Sequence, residues 1–141
     1  MATTVNVQIR PAEHADLLDI LRIERDSFPQ PWPHAAFEQF ISKPGFLVAT
    51  PTPNSDFATT TTDIVLGYVV ADTITQYGKA IGHIKDLAVH PSYRKNGIGR
   101  RLLTRSISIF QNQSVKRVKL EVRESNHEAR ALYDEFGFSI H

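Results

Sequence analysis

Residues 87–103, LAVHPSYRKNGIGRRLL, constrain this chain more than any other stretch. A short apolar run passes through a proline turn into a basic glycine loop, and the loop opens straight into an amphipathic helix. Gly97 and Gly99 let the backbone pass close to a ligand without Cβ clashes. The helix that starts there points N–H groups outward that have no acceptor within it. Arg94, Lys95, Arg100 and Arg101 surround the same turn, so backbone donors, helix dipole and side-chain charge would all favour one anion. The plainer alternative is an ordinary strand-to-helix turn with a solvated basic rim. The loop is neither G-x-x-x-x-G-K-[ST] nor G-x-G-x-x-G, so the common nucleotide loops are not matched.

At 141 residues the chain reads as one domain, 1–141, large enough to bury a core. A net charge of +1 argues against a protein that wraps nucleic acid, although positive charge is dense between Arg94 and Arg105. The chain has no cysteine, so a disulfide framework or a thiolate metal site is excluded. Its six histidines are scattered, with no H-x-x-x-H pair, and no metal is expected. No apolar run reaches the roughly 18 residues of a membrane span, and MATTVNVQIR lacks the apolar core of a signal peptide. A soluble, cytoplasmic protein is expected.

Val5, Val7 and Ile9 alternate with polar residues as a strand that Pro11 should stop. Leu17, Ile20, Leu21, Glu24 and Phe28 follow helical spacing, and FPQPWP breaks the helix. Pro33 suits the first position of a short second helix that carries Phe37, Phe40 and Ile41 inward, ended by Pro44-Gly45. Residues 46–50 and 64–75 read as strands around a polar segment, residues 51–63, expected to be a floppy hairpin tip. Residues 81–89 read as a central strand, apolar around His83, Lys85 and Asp86. Ile98, Leu102, Leu103, Ile107 and Phe110 give the next helix its inner face. Val118, Leu120 and Val122 alternate with Lys119, Glu121 and Arg123 in a further strand. Ser125 and Glu128 form a capping box before a last helix that carries Leu132, Tyr133 and Phe136 to Gly137, and residues 138–141 would begin a sixth strand. The order implies an α/β fold, a mixed sheet with helices on its faces.

Val89, Pro91 and Arg94-Lys95-Asn96-Gly97-Ile98-Gly99 resemble the acyl-CoA loop of the GNAT acetyltransferase superfamily, [QR]-x-x-G-x-[GA] after a strand ending in Val-x-Pro. Leu120-Glu121-Val122-Arg123, Ser125-Asn126, Ala129, Leu132-Tyr133 and Gly137-Phe138 are similar to the ribosomal-protein alanine N-acetyltransferase branch. The resemblance implies a GNAT fold that binds acetyl-CoA as co-substrate and acetylates the N-terminal α-amine of a protein. It implies that Arg94, Lys95, Asn96, Gly97, Ile98, Gly99 and Arg100 hold the CoA pyrophosphate. It also implies that backbone groups at Leu87, Ala88 and Val89 pair with pantetheine where the central strand diverges from the next, commonly at a bulge. Asn126 would bond the pantetheine or phosphate arm. Phe28, Pro29 and Trp32 would line the peptide side.

Amine acetylation needs a neutral amine, a polarised thioester and a proton for the departing thiolate. By resemblance Glu121 is the general base, through water, because a carboxylate of pKa about 4.3 is otherwise a poor one. Tyr133 is the general acid at sulfur, and His83 is a second base candidate. Each has a plain structural alternative. Glu121 could pair with Lys119 or Arg123, Tyr133 and His83 could be satisfied core residues, and Asn126 could cap a turn. An α-amine of pKa about 8 is also easier to deprotonate than a lysine near 10.4.

Relatives continue past Gly137-Phe138 into a hairpin with an R-x-x-Y-Y segment, so a final strand is expected to be lacking here. An unpaired edge would then need a second chain, for instance in a homodimer. Other readings are acetylation of lysine, polyamine or another small-molecule amine, a non-catalytic CoA-binding module, or a nucleic-acid-binding basic loop.

Overall fold

In the computed structural model, which describes residues 6–52, 64–121, 130, 131 and 133, the alternating apolar segments form a five-stranded sheet. Strands β1 (Val7–Pro11), β2 (Phe46–Pro51), β3 (Gly67–Gln76), β4 (Lys79–Val89) and β5 (Arg117–Leu120) lie in the order β1-β2-β3-β4-β5. The first four are antiparallel neighbours, whereas β5 runs parallel to β4. A parallel neighbour cannot be reached by a hairpin, and the crossover is the helix of the glycine loop, α3 (Ile98–Asn112). The sequence expectation of a mixed sheet with flanking helices holds.

Period-two alternation gives the sheet two apolar faces. Val69, Ala71, Ile84 and Leu87 pack with Ile98, Leu102, Leu103 and Phe110 of α3. Tyr68, Val70 and Ala88 point the other way, towards Leu17, Ile20 and Ile23 of α1 (Leu17–Ser27) and Phe37 of α2 (His34–Glu38). Each fully buried Leu, Ile or Phe contributes about 1.5–3 kcal/mol relative to exposure. Gly82 is required for the close fit of α3. A Cβ there would sit 2.7 Å from the ring of Phe110.

Several boundaries differ from the pattern reading. Pro11 ends β1 as expected, and does so as a paired residue opposite Leu47, which the outermost described strand tolerates because proline lacks only a donor. Pro33 is not the first helical residue: its backbone is extended and α2 begins at His34. Phe37 is buried inside α2, but Phe40 and Ile41 lie in the turns after it and are half-buried. Strand β3 starts at Gly67, not at residue 64, and β4 starts at Lys79. The two meet through Tyr77 and Gly78, both at positive φ (52° and 75°), the backbone of a tight two-residue hairpin. Residues 53–63, Asn126 and the proposed sixth strand lie outside the described residues. Of the last expected helix, Arg130, Ala131 and Tyr133 are described, and all three are helical. Among the described residues no helix is long and apolar enough to cross a membrane.

Candidate functional site

The basic loop is a turn built for backbone donors. Gly97 caps α3 with φ 79°, and a Cβ at that position would meet nothing within 4 Å. Lys95 is also left-handed, at φ 67°. The first main-chain bond into the helix runs from Arg101 N to Gly97 O (3.1 Å), so the N–H groups of Ile98, Gly99 and Arg100 lie in the turn that precedes the helical ladder.

The loop side chains divide into two sets. Arg94 donates from Nε to Val89 O (3.1 Å) and from Nη2 to Ser27 Oγ (3.1 Å), tying the loop to the ends of β4 and α1. Asn96 folds its Nδ2 back onto the carbonyls of Tyr93 and Arg94. Arg101 donates to Val7 O at 2.6 Å. Lys95 and Arg100 are exposed. Of the cations that surround the turn in sequence, Arg94 and Arg101 bond main-chain carbonyls of the protein itself, and the side chains of Lys95 and Arg100 are exposed. The turn fits a diphosphate through its amides, helped by those two charges.

Beside this turn lies the end of the described β4–β5 ladder. The β4–β5 ladder runs from Ile81↔Arg117 to Ile84↔Leu120, with one further bond from Glu121 N to Ile84 O (2.9 Å). Strand β4 continues to Val89, paired with β3 on its other side, but among the described residues nothing extends the ladder towards β5. Just past the last described β4–β5 pair, β4 bulges against β3: Ala71 pairs with Ile84 and Val70 with Asp86, leaving Lys85 as the extra residue. The divergence of β4 from β5 that the family resemblance implies beside Leu87, Ala88 and Val89 falls, on the β5 side, on residues outside those described.

His83 and Glu121 meet at the end of the ladder, on the face that carries α1 and α2. His83 is buried, and its Nε2 lies 2.9 Å from Glu121 Oε1, whose side chain is 57% exposed. The approach has ion-pair length without hydrogen-bond alignment, and Nδ1 has no hydrogen-bond partner among the described residues. Burial above all, then the charge of Lys85, lowers the His83 pKa; Glu121 opposes this and Lys119 adds to it. The imidazole is therefore neutral near pH 7 and able to accept a proton.

Tyr133 is 2% exposed and packs with the α3-side cluster. Burial, followed by the Asp86 carboxylate, raises its pKa well above that of an ordinary phenol. Tyr133 therefore keeps its proton at any working pH.

The three residues expected on the peptide side separate. Phe28 is buried in the α1-side core, Pro29 is exposed, and Trp32 is half-buried. Trp32 packs against Phe37 (5.2 Å between centroids) and Phe40 (6.1 Å), and Lys85 Nζ sits 5.7 Å over the Phe40 ring. Sequence reasoning assigned no role to Glu24, which is wholly buried beneath this segment. The signal was present: a carboxylate occupies an inward position in the stripe Leu17, Ile20, Leu21, Glu24, Phe28. No cluster of metal-ligand type occurs among the described residues.

An open mixed sheet with a bulged β4 and an amide turn at the crossover helix is the arrangement of an acyl-CoA-dependent transferase class. Residues 17–138 match the acetyltransferase (GNAT) family model, and the chain belongs to that family. It is 30% identical to an N-alpha-acetyltransferase of Sulfolobus acidocaldarius, over 95% of this chain and 80% of that protein. A 73-residue match to the ribosomal protein bS18 alanine N-acetyltransferase of Escherichia coli is 38% identical and covers 52% of this chain and 49% of the relative. In structure it superposes on a chain of a NatC complex bound to Gag peptide and CoA, with a TM-score of 0.81 and 21% identity. That match covers 95% of this chain and 85% of the other.

Proposed function

We propose that this protein moves the acetyl group of acetyl-CoA to the N-terminal α-amine of a protein, directly and without an acyl-enzyme. The observation that carries the proposal is the amide turn that opens α3 after β4; the neutral His83 beside Glu121, and a protonated Tyr133 on the α3 side, supply groups able to handle protons. In this reading the N–H groups of Gly97, Ile98 and Gly99, with Lys95 and Arg100, hold the diphosphate. Arg94 and Asn96 shape the loop. Leu87, Ala88 and Val89 offer backbone groups to the pantetheine arm.

Amide formation takes one proton from nitrogen and returns one to sulfur. On the nitrogen side His83 accepts directly or Glu121 accepts through water, and the carboxylate 2.9 Å away stabilises the imidazolium if it forms. An α-amine of pKa about 8 is partly neutral before binding, which suits a site without a strong base. On the sulfur side Tyr133 is a poor acid, its pKa lying above that of a thiol, so it donates a hydrogen bond to the departing sulfur rather than a free proton. The chain holds no cysteine to carry the acetyl group. The reading also carries a cytoplasmic location, where newly made N-termini are presented.

The test is acetyl-CoA turnover against peptides with free Ala, Ser or Met N-termini and against blocked peptides that contain lysine, with the acetylated atom located by mass spectrometry. Free N-termini are expected to react, with a bS18-like alanine terminus as one arm. Reaction of the blocked lysine peptides alone overturns the α-amine assignment.

A further inference from the structure

We infer that Glu24 is a positioning residue for the amine acceptor: its buried carboxylate clamps residues 28–33 onto the sheet beside the reacting centre. This rests on the reading above that this segment borders the acceptor. Helix α1 ends at Ser27 and α2 begins at His34, so the six residues between belong to neither helix. Pro29, Pro31 and Pro33 have no N–H to give. Of the remaining donors, Phe28 N bonds Glu24 O (3.0 Å) and Trp32 N bonds Glu24 Oε2 (2.8 Å). One residue thus anchors both ends of the segment.

The other carboxylate oxygen reaches across to the sheet, where Oε1 accepts from the Tyr68 hydroxyl at 2.5 Å. Tyr68 pairs in register with Ala88, at the end of β4 that leads into the basic loop. Trp32 in turn stacks on Phe37 and Phe40, the ring over which Lys85 sits at the bulge. Burying a carboxylate is costly, and a well-packed apolar residue at such a position is often neutral or stabilising. What the carboxylate supplies that leucine cannot is a fixed geometry between the acceptor-side wall and β4.

Glu24→Met keeps the length but removes both acceptors, whereas Glu24→Gln can still accept from Trp32 N and donate to the Tyr68 oxygen. Trp32 is the only tryptophan, so its emission and its quenching by acrylamide report this segment directly. In Glu24→Met the emission is expected to shift red and quenching to rise. The KM for the amine acceptor should increase about tenfold while that for acetyl-CoA stays within about twofold. Glu24→Gln should restore most of both signals. If Glu24→Met does not fold, Tyr68→Phe, which removes one of the two contacts, is expected to move the same signals by a smaller factor. Unchanged Trp32 emission, an equal rise in both KM values, or a loss of kcat in Glu24→Gln as large as in Glu24→Met each overturns the inference. Failure of the wild-type protein on every peptide N-terminus sinks the α-amine reading instead, and the Glu24 variants are then measured with the amine that the enzyme does use.

Discussion

The two sides of the proposed cleft are built by different means. The α3 side is made from backbone: a left-handed Gly97 and the start of a helix that follows on β4. The α1–α2 side is made from side chains: Trp32 on Phe37 and Phe40, held by a buried carboxylate that bonds a tyrosine 44 residues away. A backbone site needs only the right conformation over a few consecutive residues, so it tolerates most side-chain changes. A side-chain site depends on contacts between distant segments, and it can be retuned one residue at a time.

The largest effect is expected at Tyr133, which packs on the α3 side. Tyr133→Phe should lower kcat by about 10²-fold or more while leaving both KM values near wild type, as measured in steady state. Equal loss in kcat and in acetyl-CoA affinity would assign Tyr133 to coenzyme binding and not to the transfer step. Gly97→Val comes next. The open space around Gly97 means that the penalty is conformational: a β-branched residue at φ 79° costs about 1–3 kcal/mol, or roughly 10–100-fold in CoA affinity by titration. The acceptor KM should not follow it.

His83→Gln should slow turnover by roughly tenfold, below the range of a lone general base, because Glu121 can still take the proton through water. The same variant has a signature in stability. Since folding lowers the His83 pKa below its ordinary value of 6.5, the unfolded chain binds the extra proton first as pH falls. Wild-type stability is therefore full above about pH 6.5 and declines below it, and denaturant melts across pH 5–8 should show a shallower acid limb in the variant. The smallest effect is expected of Arg94→Ala, which unties the loop from Val89 and Ser27. A cost of about 1 kcal/mol, near 3 °C in Tm, should accompany modest increases in both KM values, because this side chain joins the two sides.

How legible each feature was follows the same division. The α3 helix, the strand of Val118 and Leu120, and the glycine turn could be read because a periodic pattern or a turn residue reports its conformation locally. The tie made by Arg94 was not legible, for the opposite reason. Its guanidinium bonds Ser27 Oγ, a partner 67 residues away that no local pattern contains. Phe28 was assigned to the peptide side, and its ring lies in the core. Glu24 stood in the apolar stripe of α1 and was counted there, because periodicity records which face a residue occupies but not what it bonds.

By itself the sequence determined the order of strands and helices, the mixed sheet, the amide turn and the family, since each depends on short-range conformational preference or on residues at fixed spacing. Only the tertiary structure decided that Lys85 is the extra residue of the bulge and that His83 and Glu121 come within 2.9 Å. Those depend on register between strands far apart in the chain, and register is settled by how two whole faces pack, which no single segment encodes.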